Sequence, residues 1–499
     1  MIQFIFGNKN NFKEKMIFFF SKLLKYKKKQ PEKSPEIWNN DNNLLYLTIT
    51  FIMEHTNNKL SSPADRYILE PIKKFIGNST TSGIILFSSA FIALVISNSP
   101  WGDAYHHFWE TTFTVGFGDM VLSKSLHHWI NDGLMAVFFF VVGLELKREI
   151  VAGELSDPKN AVLPIGAAIA GMVVPALIFT FFNFGGDGIS GWGIPMATDI
   201  AFALGVLYLL GDKVPVSLKI FLTALAIADD IGAVLVIAFF YTSDIQLWNV
   251  LIGFGFMGVL MLANILGFRN TLFYAVLGIG GLWLAFLLSG VHATIAAVLA
   301  AFTIPVRVKA SEVVFSEKLS KLHQAFKEAK PNNQPTITSE QLHILEEIEY
   351  LTKKAQTPLQ RLEHRMHPLV AFGIMPVFAL ANAGVQLQAD QLQGMIAPVS
   401  VGVFFGLLAG KVLGVVGITL ILIRLKITSM PDGMNMWHLF GAGFLAAIGF
   451  TMSLFITDLA YSDSSFIIQA KVGILSASII ASIIGFFLIR KGNSIKSGV

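Results

Sequence analysis

IFLTALAIADDIGAVLVIAFFY, residues 220–241, is an apolar run of 22 residues. As a helix rising about 1.5 Å per residue it crosses a ~30 Å hydrocarbon layer. At its middle stand two adjacent carboxylates, Asp229 and Asp230. One aspartate at the centre of a spanning helix costs roughly 2.5–3.5 kcal/mol on insertion scales, and two would also repel when ionised. A plain anchor would carry leucine there. The small residues around the pair (Ala226, Ala228, Gly232, Ala233) leave room for a partner helix or an ion.

The rest of the chain has the same character. Of 499 residues, 54% are hydrophobic and 14% charged, with a mean hydropathy of +0.62. That balance indicates an all-α polytopic membrane protein. There is no cysteine, which excludes disulfides, thiolate metal sites and cysteine nucleophiles. The formal charge of +4 is small, and nothing in its distribution calls for a nucleic acid partner. No cofactor is expected.

Residues 1–65 are rich in Asn and Lys, with apolar runs too short to span and no secretory signal. They read as a disordered cytoplasmic extension, with a polybasic membrane contact as the alternative. Met53 offers a second start. Twelve apolar segments follow, at 82–98, 129–150, 160–184, 192–210, 217–241, 247–267, 271–288, 290–305, 368–387, 397–424, 437–457 and 466–489. If both termini are cytoplasmic, the inner connections collect Lys147, Arg148, Lys159, Lys213, Lys219, Arg269, Arg424, Lys426, Arg490, Lys491 and the basic residues of 306–366, with 491–499 as a short tail. The outer ones hold a single basic residue, Lys124, as the positive-inside rule requires. Two connections are long enough for structure of their own. The outer stretch 113–126 mixes β-formers with Gly-Asp turn signals and predicts a hairpin. The inner loop 306–366 carries two charged amphipathic patches, the second with Leu342, Leu345, Ile348 and Leu351 at helical spacing.

Counting inward from the segment ends isolates four ionisable residues at mid-depth: Asp199, Asp229, Asp230 and Lys411. Three acids against one base leave an excess of negative charge, which calls for a cation or protons. A buried ion-pair network that only locks helices is the competing reading. Glycines and a proline (Gly191, Gly193, Pro195; Gly441, Gly443, Gly449) punctuate the segments 192–210 and 437–457 and predict two interrupted helices meeting at mid-depth. Asp199 would then balance positive half-helix ends and Lys411 negative ones. Adjacent acids project about 100° apart on a helix, so Asp229 and Asp230 cannot face one partner. One pairs with Lys411 and the other faces the ion path. A site that takes either a cation or protons is the minimal chemistry of an antiporter.

These residues match a known family. The stretches ALAIADDIGAVLVIAFFYTSD, PMATDIAFALGVL, SGVHATIAAVLAAFTIP, WINDGLMAVFFFVVGLELKREI and GFLAAIGFTMSLFI closely resemble the NhaA-type sodium/proton antiporters, over about residues 66–490. The resemblance implies twelve helices in inverted repeats, for which this family is itself the stock example. It implies Asp230 as principal cation ligand and proton carrier, with Asp229 as its partner, so that Na+ binds at Asp230 and Asp229. Thr198 and Asp199 would sit where the interrupted helices cross, Asp199 also reaching the ion. It further implies export of Na+ or Li+ against two external H+, a bacterial inner-membrane location, and a homodimer joined through 113–126. Glu145 and Glu149 match an acidic cytoplasmic entrance, though an ordinary interfacial helix end with Lys147 and Arg148 explains them as well. His292 matches a pH-response position, with a hydrogen-bonded helix-end histidine as the alternative. Asp132 lies near the outer surface and is not assigned to transport.

Two decoys sit at 114–119, TVGFGD. Its resemblance to a potassium-channel filter would leave ten further segments and four buried ionisable groups unexplained. The same residues spell GxGD, as in intramembrane aspartyl proteases, but Asp119 lies in a polar loop. A crossing-helix symporter is a third alternative, one that has no need of three buried acids.

Overall fold

The computed structural model describes residues 79–117, 120–242, 245–329, 336–386 and 397–496. The 1–65 extension, the turn at Gly118-Asp119 and the last three residues fall outside them.

In chain order the helices are α1 (Ser79–Ser97), α2 (Gly102–Glu110), α3 (Met135–Ala152), α4 (Pro158–Phe182), α5 (Ile200–Tyr208), α6 (Val216–Phe240), α7 (Leu247–Ile265), α8 (Thr271–Leu287) and α9 (Ala293–Thr303). Then come α10 (Glu312–Glu328), α11 (Ser339–Ala355), α12 (Pro358–Leu369), α13 (Met375–Asn382), α14 (Pro398–Arg424), α15 (Met436–Ala446), α16 (Phe450–Ala460) and α17 (Ser464–Lys496). Six of these elements are long and apolar enough to cross a membrane, with α15 and α16 together forming one; the number rises to eight if two further bent pairs each count as one span. Of those pairs, α1 and α2 meet at 115°, whereas Asp187–Met196 and α5 are bent by only 43°. The chain is a multi-pass membrane protein.

The apolar segments find their helices, with differences at the ends. Helix α12 begins at Pro358, capped by Thr357, whose hydroxyl accepts from Gln360 N–H. It runs through a π-turn at Val370–Ile374 into α13, so the ninth segment starts about ten residues before its hydrophobicity does. Hydropathy cannot see a helix that projects into water. Helix α17 likewise continues to Lys496, so residues 491–496 extend it.

In the long inner loop the two amphipathic patches are α10 and α11, the second opened by a capping box between Thr338 and Gln341. Its buried face is Gln341, Ile344 and Leu351, while Leu342 and Leu345 point outward. Residues 330–335, between the two patches, lie outside the described set.

Strands β1 (Thr112–Phe117) and β2 (Met120–Ser125) pair antiparallel, from Thr112↔Ser125 to Phe117↔Met120. Trp129 anchors them, its Nε1–H donating to Phe113 O at 2.9 Å.

Two breaks organise the core. One separates Asp187–Met196 from α5 at residues 197–199, the other separates α15 from α16 at 447–449. Against them packs α4, which meets α14 at very short range. A Cβ added to Gly410 would come within 2.7 Å of Pro175 Cα, and one added to Gly414 within 2.4 Å of Ala170 O. Small residues four apart let two backbones touch where there is no water to drive association. That contact sets Lys411, at the end of the π-turn Gly406–Lys411, deep in the protein.

Candidate functional site

Unwinding the 197–199 break leaves the N–H groups at the start of α5 unpaired, and the 447–449 break does the same for α16. One carboxylate serves both. Asp199 is the N-cap of α5, accepting from Phe202 N–H at 2.9 Å through Oδ1. Its Oδ2 accepts from Thr451 N–H at 3.1 Å and Thr451 Oγ1–H at 2.5 Å, at the first turn of α16. Two positive helix ends thus meet one acid. The carbonyl end of α15 is satisfied from the opposite strand of the crossing. Asp199 N–H donates to Ile448 O at 2.7 Å and Thr198 Oγ1–H to Ala446 O at 2.8 Å. Ser453 Oγ–H closes the other side by donating to Ile194 O at 2.8 Å. Every one of Thr198, Asp199, Thr451 and Ser453 is fully buried.

Helix α6 brings the remaining acids. Asp229 and Asp230 are 1% and 2% exposed. Lys411 Nζ–H donates to Asp229 Oδ2 at 2.5 Å, both side chains being buried. The lysine stem passes over Gly171, where an added Cβ would stand 3.8 Å from its Cδ. The pairing therefore falls to Asp229, and Lys411 meets a carboxylate instead of a helix carbonyl end. Asp230 points elsewhere, as its rotation of about 100° on the helix demands. It lies in the field of Asp229, Glu145, Asp199 and Lys411. Thr198 neighbours Asp229, which joins the crossing to the α6 pair. Among the described residues, no hydrogen-bond donor reaches Oδ1 of Asp229 or Oδ1 of Asp230.

Burying an unpaired carboxylate costs several kcal/mol unless it is neutralised. The crossing consumes the charge of Asp199 and Lys411 that of Asp229, so Asp230 is the acid whose neutralisation is left to a proton or a cation.

The entrance residues are arranged differently from their grouping in the sequence. Arg148 Nη2–H reaches Glu149 Oε1 at 3.0 Å and Arg148 Nε–H reaches Glu363 Oε1 at 3.2 Å, while Lys147 Nζ caps α9 through the carbonyls of Phe302 and Ile304. Glu145 lies in the field of Glu363, Arg148 and Glu149. Burial raises the Glu363 carboxyl above its ordinary range despite Arg148. His292 does not belong with them. Its Nε2–H donates to Tyr241 O at 2.7 Å, at the end of α6, and its charged neighbour is Asp132, before the other end of α3. The loop before α9 turns at the end of the molecule opposite Glu145.

The family profile described as Na+/H+ antiporter 1 matches residues 73–489. The chain belongs to that family. Among relatives, the Na(+)/H(+) antiporter NhaA of Oleidesulfovibrio alaskensis is 50% identical over 429 residues, covering 86% of this chain and 95% of the relative. NhaA 1 of Saccharophagus degradans is 46% identical over 436 residues, 87% and 94% of the two chains. NhaA 2 of Syntrophotalea carbinolica is 46% identical over 432 residues, 86% and 98%. In this Na+/H+ antiporter 1 chain, sequence reasoning missed Thr451, Ser453 and Glu363. Thr451 had a signal, a hydroxyl two residues after Gly449, just as Thr198 comes before its own half-helix. Glu363 had none, because its helix reads as polar loop.

Proposed function

We propose that the chain exports Na+, or Li+, in exchange for external H+, by alternating access to the carboxylates of α6. The observation that carries this reading is the contrast between Asp229, held by Lys411, and its neighbour Asp230, buried without a cationic partner of its own. A cation and a proton neutralise the same oxygens, so each excludes the other.

In the exchange cycle, Na+ binds between ionised Asp230 and the freed Asp229, Lys411 having let go. Release outward leaves both acids ionised, and two external protons then neutralise the pair. Two positive charges enter for each one that leaves, so each turnover moves one charge inward and the membrane potential drives export. Asp199 stabilises the crossing through both positive helix ends and contributes to the cation's field. Glu145 and Glu149, with Glu363, form the cytoplasmic approach, whereas His292, bonded to the Tyr241 carbonyl at the other end of the protein, serves as a hydrogen-bonded helix-end residue.

Twelve passes in inverted repeats, both termini cytoplasmic, place residues 66–490 in a bacterial inner membrane as one antiporter domain, with the 306–366 loop inside and the 113–126 hairpin outside. The basic residues of the connections support this orientation. Homodimers form through the hairpin, and the physiological role is sodium and pH homeostasis. The channel alternative loses its footing at Thr114–Phe117, where the strand pairs with β2. A filter needs its carbonyls turned to a pore axis.

Everted vesicles holding a preformed pH gradient test the reading. Added Na+ or Li+ should collapse the gradient, and K+ should not. A gradient unmoved by either ion would end the proposal.

A further inference from the structure

Asp458 has no part in the cycle above and sits where a carboxylate is disfavoured. It is in the last turn of α16, next to the negative end of the helix. It is held there by a ring of polar groups from separate elements. Asn131 Nδ2–H donates to Asp458 Oδ2 at 2.8 Å, and Asn382 Nδ2–H donates to Asn131 Oδ1 at 3.0 Å. His127 Nε2–H donates to Asn382 Oδ1 at 2.9 Å and stands 3.5 Å from Asp458 Oδ2. Asn131 and Asn382 are buried.

Each of the three helical strands that feed this ring contributes a phenylalanine one or two turns further in. Phe455 precedes Asp458 on α16, Phe378 precedes Asn382 on α13, and Phe139 on α3 follows Asn131, which lies in the π-turn Trp129–Leu134 leading into that helix. All three are at most 1% exposed, and the Phe455 ring centroid is 5.4 Å from that of Phe139 and 6.4 Å from that of Phe378. Along α16 the residues Thr451, Phe455 and Asp458 follow the i, i+4, i+7 stripe of one helix face. At 1.5 Å per residue the phenyl layer is about 6 Å, and the polar ring about 10 Å, from the crossing. The hairpin leads directly into His127 through Ser125, so both layers lie between the hairpin end and Asp199.

We propose that these layers are the hairpin-side gate of the translocation path. The three phenyl rings seal the crossing, and the Asn131–Asp458–His127–Asn382 ring latches together the helices that must part to admit protons and release the cation. An apolar plug blocks a hydrated ion because passage would strip its water. A polar latch above it can reopen, since its members exchange one another for water at little net cost. This rests on the exchange reading and adds the place where access on the outer side is interrupted.

The absence of cysteine allows a direct test. Thr451→Cys puts a thiol of similar size on the same face of α16 as Phe455, one turn closer to the crossing, and Ser123→Cys marks the hairpin face. A membrane-impermeant methanethiosulfonate ammonium reagent is applied to right-side-out and everted vesicles. The gate predicts slow modification at 451 from the hairpin face, accelerated at least tenfold by Phe455→Ala and by Asp458→Asn, with no acceleration from the opposite face. Should Phe455→Ala not fold, Asp458→Asn, which keeps the side-chain volume, decides alone. Unchanged modification in the folded variant, or equal acceleration from both faces, overturns the gate. Side-selective acceleration, together with wild-type vesicles that show no Na+-dependent proton release, keeps the gate and removes the exchange reading.

Discussion

Lys411 Nζ lies 2.5 Å from Asp229 Oδ2, while Asp230, the next residue on α6, has an oxygen that no donor among the described residues reaches. Two chemically identical acids, one bond apart in sequence, are thus placed in different electrostatic situations. The difference arises because consecutive helix positions diverge by about 100° and α14 approaches α6 from one direction only.

Replacing Asp230 with Asn removes the titratable oxygen while keeping the volume. Na+-dependent proton release in everted vesicles should fall to background, with folding intact by thermal unfolding. Wild-type exchange in this variant would remove Asp230 from the site.

Lys411→Met leaves Asp229 buried without its cation. Breaking a buried pair from one side costs about 3–5 kcal/mol, whereas removing both charges is far cheaper. Thermal unfolding in detergent should show a large loss for Lys411→Met that Asp229→Asn largely restores in the double variant. An additive cycle would mean that the contact contributes no coupling.

Thr451→Val deletes the hydroxyl bound to Asp199 and leaves the backbone bond. A buried acceptor that loses one donor costs about 1–3 kcal/mol. The lost stability should be accompanied by slower exchange, because the same carboxylate joins both half-helices. Ser453→Ala, whose donor reaches a carbonyl instead, should affect exchange less.

Glu363 carries a pH signature. Its native carboxyl is raised by burial, so the folded protein holds that proton more tightly than the unfolded chain does. The contribution to stability is complete below the ordinary glutamate range and is lost as pH rises through the raised native value. Unfolding temperatures measured from pH 4 upward should therefore decline less steeply in Glu363→Gln than in wild type. A steeper decline in the variant would contradict the sign.

The hairpin is tied to the helical body by Trp129, through its bond to Phe113 O and an edge contact with the Phe113 ring at 6.1 Å. Trp129→Ala should free the hairpin and shift a homodimer toward monomer, read by light scattering in detergent. A dimer that survives both this change and deletion of 113–126 would place the interface elsewhere.

Hydropathy made most of the molecule readable. An apolar run of about 20 residues has few stable conformations in lipid other than a helix, because each backbone polar group must find its partner within the segment. The interrupted segments were readable only approximately: Gly191, Gly193 and Pro195 lie before the 197–199 break and Gly441 and Gly443 inside α15, while Gly449 alone falls within a break. The polar ring was not readable. Asn131 and Asp458 are 327 positions apart, and His127 and Asn382 are 255 apart. Each lies near a helix end and belongs to no motif, the least informative position a polar residue can have.

The local chain thus dictated that helices would form, roughly where they would break, and that an excess of acid would be carried to mid-depth. These properties follow from the transfer cost of each residue and from backbone pairing over a few positions. Which acid Lys411 would take, which helix ends Asp199 would cap, and which side chains would stack above the crossing were settled by packing. They depend on rotations and approaches of helices hundreds of residues apart, and a one-residue shift in any of them would exchange the roles of Asp229 and Asp230.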